Sequence, residues 1–73
     1  MSKTTRWGIM GTGSIAKSFA RGLRDTPEAE LIAVGSRKQE NADKFGDMFS
    51  VPAKYPSYEE LANCPDIDAI YIS

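Results

Sequence analysis

The chain has 73 residues, 41% of them hydrophobic and 26% charged, with a formal net charge of −1. This is ordinary composition for a soluble globular domain, and the balanced charge gives no electrostatic reason to expect nucleic acid or an anionic membrane as partner. Polar residues interrupt every apolar run long before a bilayer could be spanned.

Met1-Ser2-Lys3-Thr4-Thr5 reads as a lead-in to the first strand, with no signal-peptide core. That strand is expected at Arg6 to Met10, where Trp7, Ile9 and Met10 supply the apolar character. Gly11-Thr12-Gly13-Ser14-Ile15-Ala16 follows at once and matches the G-x-G-x-x-G/A fingerprint of dinucleotide-binding domains. Gly11 lets the chain turn sharply off the strand, Gly13 lets the backbone approach a pyrophosphate, and Ala16 allows close helix–strand packing. A structural strand-to-helix turn is the alternative for such a short match. Here Ile15, Ala16, Phe19, Ala20 and Leu23 recur at helical spacing, so a helix from Ser14 to Arg24 with one apolar face is expected. Its free N–H groups and partial positive charge would attract phosphates.

Asp25-Thr26-Pro27 ends that helix, and Leu31-Ile32-Ala33-Val34 within Glu30 to Gly35 suits a strand covered on both faces. Ser36 and Gln39 have capping-box spacing, predicting a helix from Lys38 to Phe49 with Ala42, Phe45, Met48 and Phe49 turned inward. Val51 to Tyr55 reads as a short third strand. Ser57 and Glu60 form a second capping box, for a helix from Tyr58 to Asn63. Ala69-Ile70-Tyr71-Ile72 reads as the fourth strand. The pattern βαβαβαβ, with connections too long for hairpins, gives an α/β fold: a Rossmann-like parallel sheet in the order 3-2-1-4. A complete domain of this kind has about six strands. The expectation is therefore a truncated portion of a dinucleotide-binding domain.

The window about twenty residues beyond the glycines decides between cofactors, because an acid there bonds the ribose 2′-hydroxyl of NAD. Val34-Gly35-Ser36-Arg37-Lys38 contains no acid. Ser36 can donate to a 2′-phosphate, Arg37 can bind it with charge assistance or lie flat on the adenine, and Lys38 adds positive charge. The plain alternative is a helix cap with two solvated cations. NADP is expected ahead of NAD.

Other residues read as structural. Thr12, Ser14 and Ile15 would meet the pyrophosphate through backbone groups, and Lys17 faces away. Tyr55 and Tyr58 pack the turn at Pro56-Ser57, Trp7 belongs to the core, and Asp66 and Asp68, with Glu59 and Glu60, are solvated acids and no metal site. Cys64, the single cysteine, has no histidine anywhere to activate it and no partner for an internal disulfide, so a free thiol in a reducing cytoplasm is expected.

With these residues in hand, the chain resembles the N-terminal part of the glucose–fructose oxidoreductase / inositol dehydrogenase (Gfo/Idh/MocA) family. The resemblance runs through Arg6 to Ala16, Ala33-Val34-Gly35-Ser36-Arg37, Ala53-Lys54-Tyr55-Pro56-Ser57-Tyr58-Glu59-Glu60-Leu61, and Asp66-Ile67-Asp68-Ala69-Ile70-Tyr71-Ile72. Arg6-Trp7-Gly8-Ile9 and Ser36-Arg37 are most similar to the NADP-linked dihydrodiol and xylose dehydrogenase branch. The resemblance implies hydride transfer on a sugar, polyol or related alcohol, with a second domain for substrate and often a homo-oligomer interface. It also implies a Pro-Asn-x-x-His-like loop beginning near Ser73, on the nicotinamide side, and a later Glu-Lys-Pro motif with the catalytic lysine. Neither motif is in this chain, so no catalytic residue is assigned and no turnover is expected from it alone. Two other classes stay in view: a short non-catalytic nucleotide-binding module, and part of an S-adenosylmethionine-dependent methyltransferase. The latter usually wants an acid at the second strand end, which Ser36-Arg37 does not provide.

Overall fold

Period and punctuation along the chain set the elements. In the computed structural model, which describes residues 4–73, these are β1 (Thr5–Met10), α1 (Ser14–Arg24), β2 (Ala29–Gly35), α2 (Gln39–Phe49), β3 (Ala53–Tyr55), α3 (Tyr58–Ala62) and β4 (Ala69–Ile72). The reading of Met1-Ser2-Lys3 as a plain lead-in lies outside the described residues. The four strands form one sheet in the order β3-β2-β1-β4, and every adjacent pair is parallel. This is the expected topology, and right-handed crossovers account for it. None of the described helices is long and apolar enough to cross a membrane.

Side-chain alternation along the strands separates two layers. Ile9 and Val34 turn toward α1 and α2, where they join Ala16, Ala20, Ala42, Phe45 and Val51 in the buried core. Phe19 extends that layer, stacking on Tyr71 at 3.9 Å between ring centres and meeting Trp7 edge-on at 5.3 Å. The neighbouring positions Gly8 and Gly35 face the opposite way, against α3. A Cβ on Gly35 would lie 2.9 Å from Leu61 Cβ and 3.3 Å from the Ser57 carbonyl oxygen. The missing side chain therefore lets α3 lie directly on the sheet, with Leu61 fully buried. The β1–β2 ladder shifts register between Trp7 and Gly8, with Ile32 as the extra residue of β2.

Several local expectations are corrected. Ser36 does not cap α2: its Oγ accepts from the Lys38 amide at 3.4 Å, a bond two residues along, and its own N–H donates to the Tyr55 carbonyl at 3.1 Å. Pairing at the sheet edge holds Ser36, so the helix begins later, with Lys38 as an extended N-cap and no side-chain cap bond. Gln39, expected to reach back, instead donates along the helix to Asp43 at 2.7 Å. Met48 is 52% exposed, because it sits roughly 100° around the helix from Phe49 and so off the inward stripe. The third strand starts only at Ala53, since Pro52 has no N–H to give the ladder. Asp68 is no free solvated acid: its carboxylate takes the Arg6 backbone amide at 3.0 Å and the guanidinium at 3.3 Å. At the second expected capping box the Ser57 cap forms, the Glu60 amide donating to Ser57 Oγ at 3.2 Å, while the Glu60 carboxylate reaches back to the Ser57 hydroxyl at 3.0 Å in place of its backbone N–H.

Candidate functional site

The turn after β1 opens at the carboxyl edge of the sheet. Gly11 has φ of +105°, a region that side chains avoid, and its amide donates to the Gly35 carbonyl at 2.9 Å. That bond ties the bend to the end of β2. A Cβ at Gly11 would collide with Ser73 Oγ, which donates to the Met10 carbonyl at 2.9 Å. Ser73 therefore occupies space that the glycine leaves free.

Gly13 is different. Its φ of −75° and ψ of −173° suit any residue, and nothing lies within 4 Å of where its Cβ would be. It is the N-cap of α1, and as a glycine it offers the opening amides no side-chain acceptor. The result is a bare, amide-lined edge facing empty space. Gly11, Thr12, Gly13, Ser14, Ile15, Tyr58 and Ser73 line an open crevice of about 410 Å³ there. Ala16, fully buried, lies behind the crevice and lets α1 close on the sheet. Ile15 was expected on the apolar face of α1 but is 64% exposed at the mouth, one position off the Ala16–Ala20–Leu23 stripe.

The other expected residues cluster at the end of β2. Ser36 is 5% exposed and holds the bend beyond Gly35, while Arg37 and Lys38 are exposed. The Arg37 guanidinium lies over the Tyr58 ring, 5.8 Å from its centre. Six of the ten expected residues thus share the crevice, Ala16 supports it, and Arg37 reaches its wall through Tyr58. Lys38 contributes its backbone as the α2 cap. Lys17 lines a separate hollow of about 160 Å³ toward Asn41 and Lys44 of α2. Tyr58 stands on the crevice wall and does not only pack the turn, a placement that its position two residues after Pro56 does not signal. Cys64 is buried away from the crevice, and its interaction with the Tyr55 phenol, then burial, raises that phenol above its usual value. Among the described residues no group of three or more potential ligands could hold a metal ion.

A parallel sheet ordered 3-2-1-4, with a glycine turn opening onto a helix N-terminus at its carboxyl edge, defines a dinucleotide-binding Rossmann domain. The profile of the Gfo/Idh/MocA oxidoreductases, described as an oxidoreductase family with an NAD-binding Rossmann fold, matches residues 5–73, and the chain belongs to that family. Membership in an oxidoreductase family takes the place of the methyltransferase reading. Trans-1,2-dihydrobenzene-1,2-diol dehydrogenase of Xenopus laevis is 43% identical over 70 residues, covering 93% of this chain and 21% of the relative. The mouse enzyme of the same name is 40% identical over 70 residues, again 93% of this chain and 21% of the relative. The chain thus spans about a fifth of the length of these relatives. Among solved structures, the K102A variant of KijD10, a 3-ketoreductase from Actinomadura kijaniata in complex with TDP-benzene and NADP, superposes with a TM-score of 0.89 at 28% identity, covering 96% of this chain and 22% of that one. Myo-inositol dehydrogenase from Lactobacillus casei, in complex with NAD(H) and myo-inositol, gives 0.85 at 29% identity, covering 96% and 21%.

Proposed function

We propose that this chain is the cofactor-holding part of an NADP-dependent oxidoreductase that moves a hydride to or from a sugar, polyol or related alcohol. The observation that carries the reading is Gly13: the space its side chain would fill is open, at a helix start, in a crevice large enough for phosphate groups. Backbone amides of Gly13, Ser14 and Ile15 would hold the diphosphate, with Thr12 beside them and Ala16 allowing α1 to approach. Ser36 would hold the 2′-phosphate with Arg37. Its oxygen already accepts the Lys38 amide, so its proton remains available to donate, and the guanidinium adds a two-pronged, charge-assisted contact. Lys38 adds a second positive charge, and Ser73 lies on the nicotinamide side. Bound NADP supplies the hydride chemistry.

Relatives are named for either cofactor, so the choice of NADP rests on Ser36-Arg37-Lys38, where an NAD-selecting acid would otherwise stand. Residues 1–73 are then the N-terminal part of the binding domain. The substrate domain, the catalytic lysine and a homo-oligomer interface would lie in a longer polypeptide. The substrate is a small molecule, with no nucleic acid or membrane partner. A reducing cytoplasm suits the single free thiol, Cys64.

Titration with NADPH and NADH tests this reading. Tighter binding of NADPH is expected, with a loss of about ten-fold or more in Arg37→Ala, the scale of a charge-assisted hydrogen bond. Preference for NADH, or unchanged NADPH binding in Arg37→Ala, would overturn it.

A further inference from the structure

Tyr58 stands on the crevice wall with no part in that scheme. It is the first residue of α3, fixed there by the Ser57–Glu60 cap. Leu61, three residues on, seats against Gly35, and the Ser57 carbonyl lies over the same glycine. This contact brings the start of α3 beside the bend at Gly35-Ser36-Arg37. The meeting of the Tyr58 ring with Arg37 therefore follows from backbone packing on both sides of it. The same ring borders the glycine turn, so it bridges the two halves of the site.

An exposed arginine has many rotamers, and ordering it on a ligand loses conformational entropy. A guanidinium lying over an aromatic face keeps its N–H donors, which lie in its own plane, free for other partners. We propose that Tyr58 is a positioning residue for Arg37: it holds the guanidinium over the crevice wall so that its donors are ready for the cofactor's 2′-phosphate. Tyr58 thereby favours NADP over NAD. The inference rests on the NADP reading above. The phenol hydroxyl plays no part in it; the ring face does.

The test compares NADPH and NADH affinity in Tyr58→Leu and Tyr58→Phe, each with Arg37 present and in an Arg37→Ala background. In Tyr58→Leu, NADPH binding weakens about two- to five-fold, the range of an exposed cation–π contact, while NADH binding holds. Tyr58→Phe restores the native ratio, and without Arg37 the leucine change has no further effect. Equal losses for both cofactors, or an undiminished loss in the Arg37→Ala background, would overturn the proposal. In the unaltered protein, ring-current shifts on the Arg37 side-chain protons are expected by NMR, and their absence would overturn it without any variant. A native preference for NADH defeats both this inference and the cofactor reading. A native preference for NADPH whose size Tyr58→Leu leaves unchanged defeats this inference alone.

Discussion

The two glycines of the turn do unlike work, and substitution separates them. Gly11→Ala would force a side chain into a left-handed backbone region and onto Ser73 Oγ, so a loss of about 1–3 kcal/mol in stability is expected from the denaturant midpoint. Gly13→Ala meets neither obstacle, since its backbone angles are ordinary and its surroundings open. The fold should hold at a cost of about 1 kcal/mol or less, since alanine is a poorer N-cap than glycine, while NADPH affinity falls about ten-fold. Intact stability with intact affinity in Gly13→Ala would remove the diphosphate from this turn. The motif was legible from its spacing, but the division of labour was not. It depends on Ser73, which is remote in sequence and is brought to Gly11 only by the pairing of β1 with β4.

At the scale of elements, α3 is the smallest helix and the most dependent on its cap. Five residues cannot sustain a helix by propensity, so the Ser57 contact and Leu61 burial hold it. Ser57→Ala should destabilise the protein by about 1 kcal/mol in chemical denaturation. Its capping box was readable because both partners lie within one turn. The similar pattern at Ser36 misled, because strand pairing with Tyr55 competes for that residue and wins. A second element-scale expectation concerns β3. The Tyr55 phenol is raised in the folded state, chiefly by its interaction with Cys64, so the folded chain favours the neutral form. That stabilisation is complete below the ordinary tyrosine value of about 10 and is lost as pH rises through the raised folded value. The stability advantage of the native chain over Tyr55→Phe should therefore shrink in alkaline solution, as followed by unfolding midpoints across the pH series.

For the molecule as a whole, topology was the most legible feature. Apolar runs without alternation, separated by helical stretches, admit few arrangements once crossovers are right-handed. What escaped the sequence were the contacts made by the third dimension: Tyr58 on the crevice wall, Met48 turned outward, and Asp68 paired with Arg6. Each depends on which way an element is rotated, or on a partner far along the chain. At this scale cofactor binding is linked to folding. NADPH at about a hundred times its dissociation constant should stabilise the protein by about 2.7 kcal/mol, measurable as a raised unfolding midpoint.

The contact between Ser73 and the vacancy at Gly11 has a consequence for how this chain can diverge. Ser73 is exposed, so a larger side chain at position 73 can turn to solvent, whereas any residue but glycine at position 11 displaces the serine hydroxyl from the Met10 carbonyl. Drift at the first bend is thus felt at the last strand, where the chain would lose the tether between Ser73 and Met10.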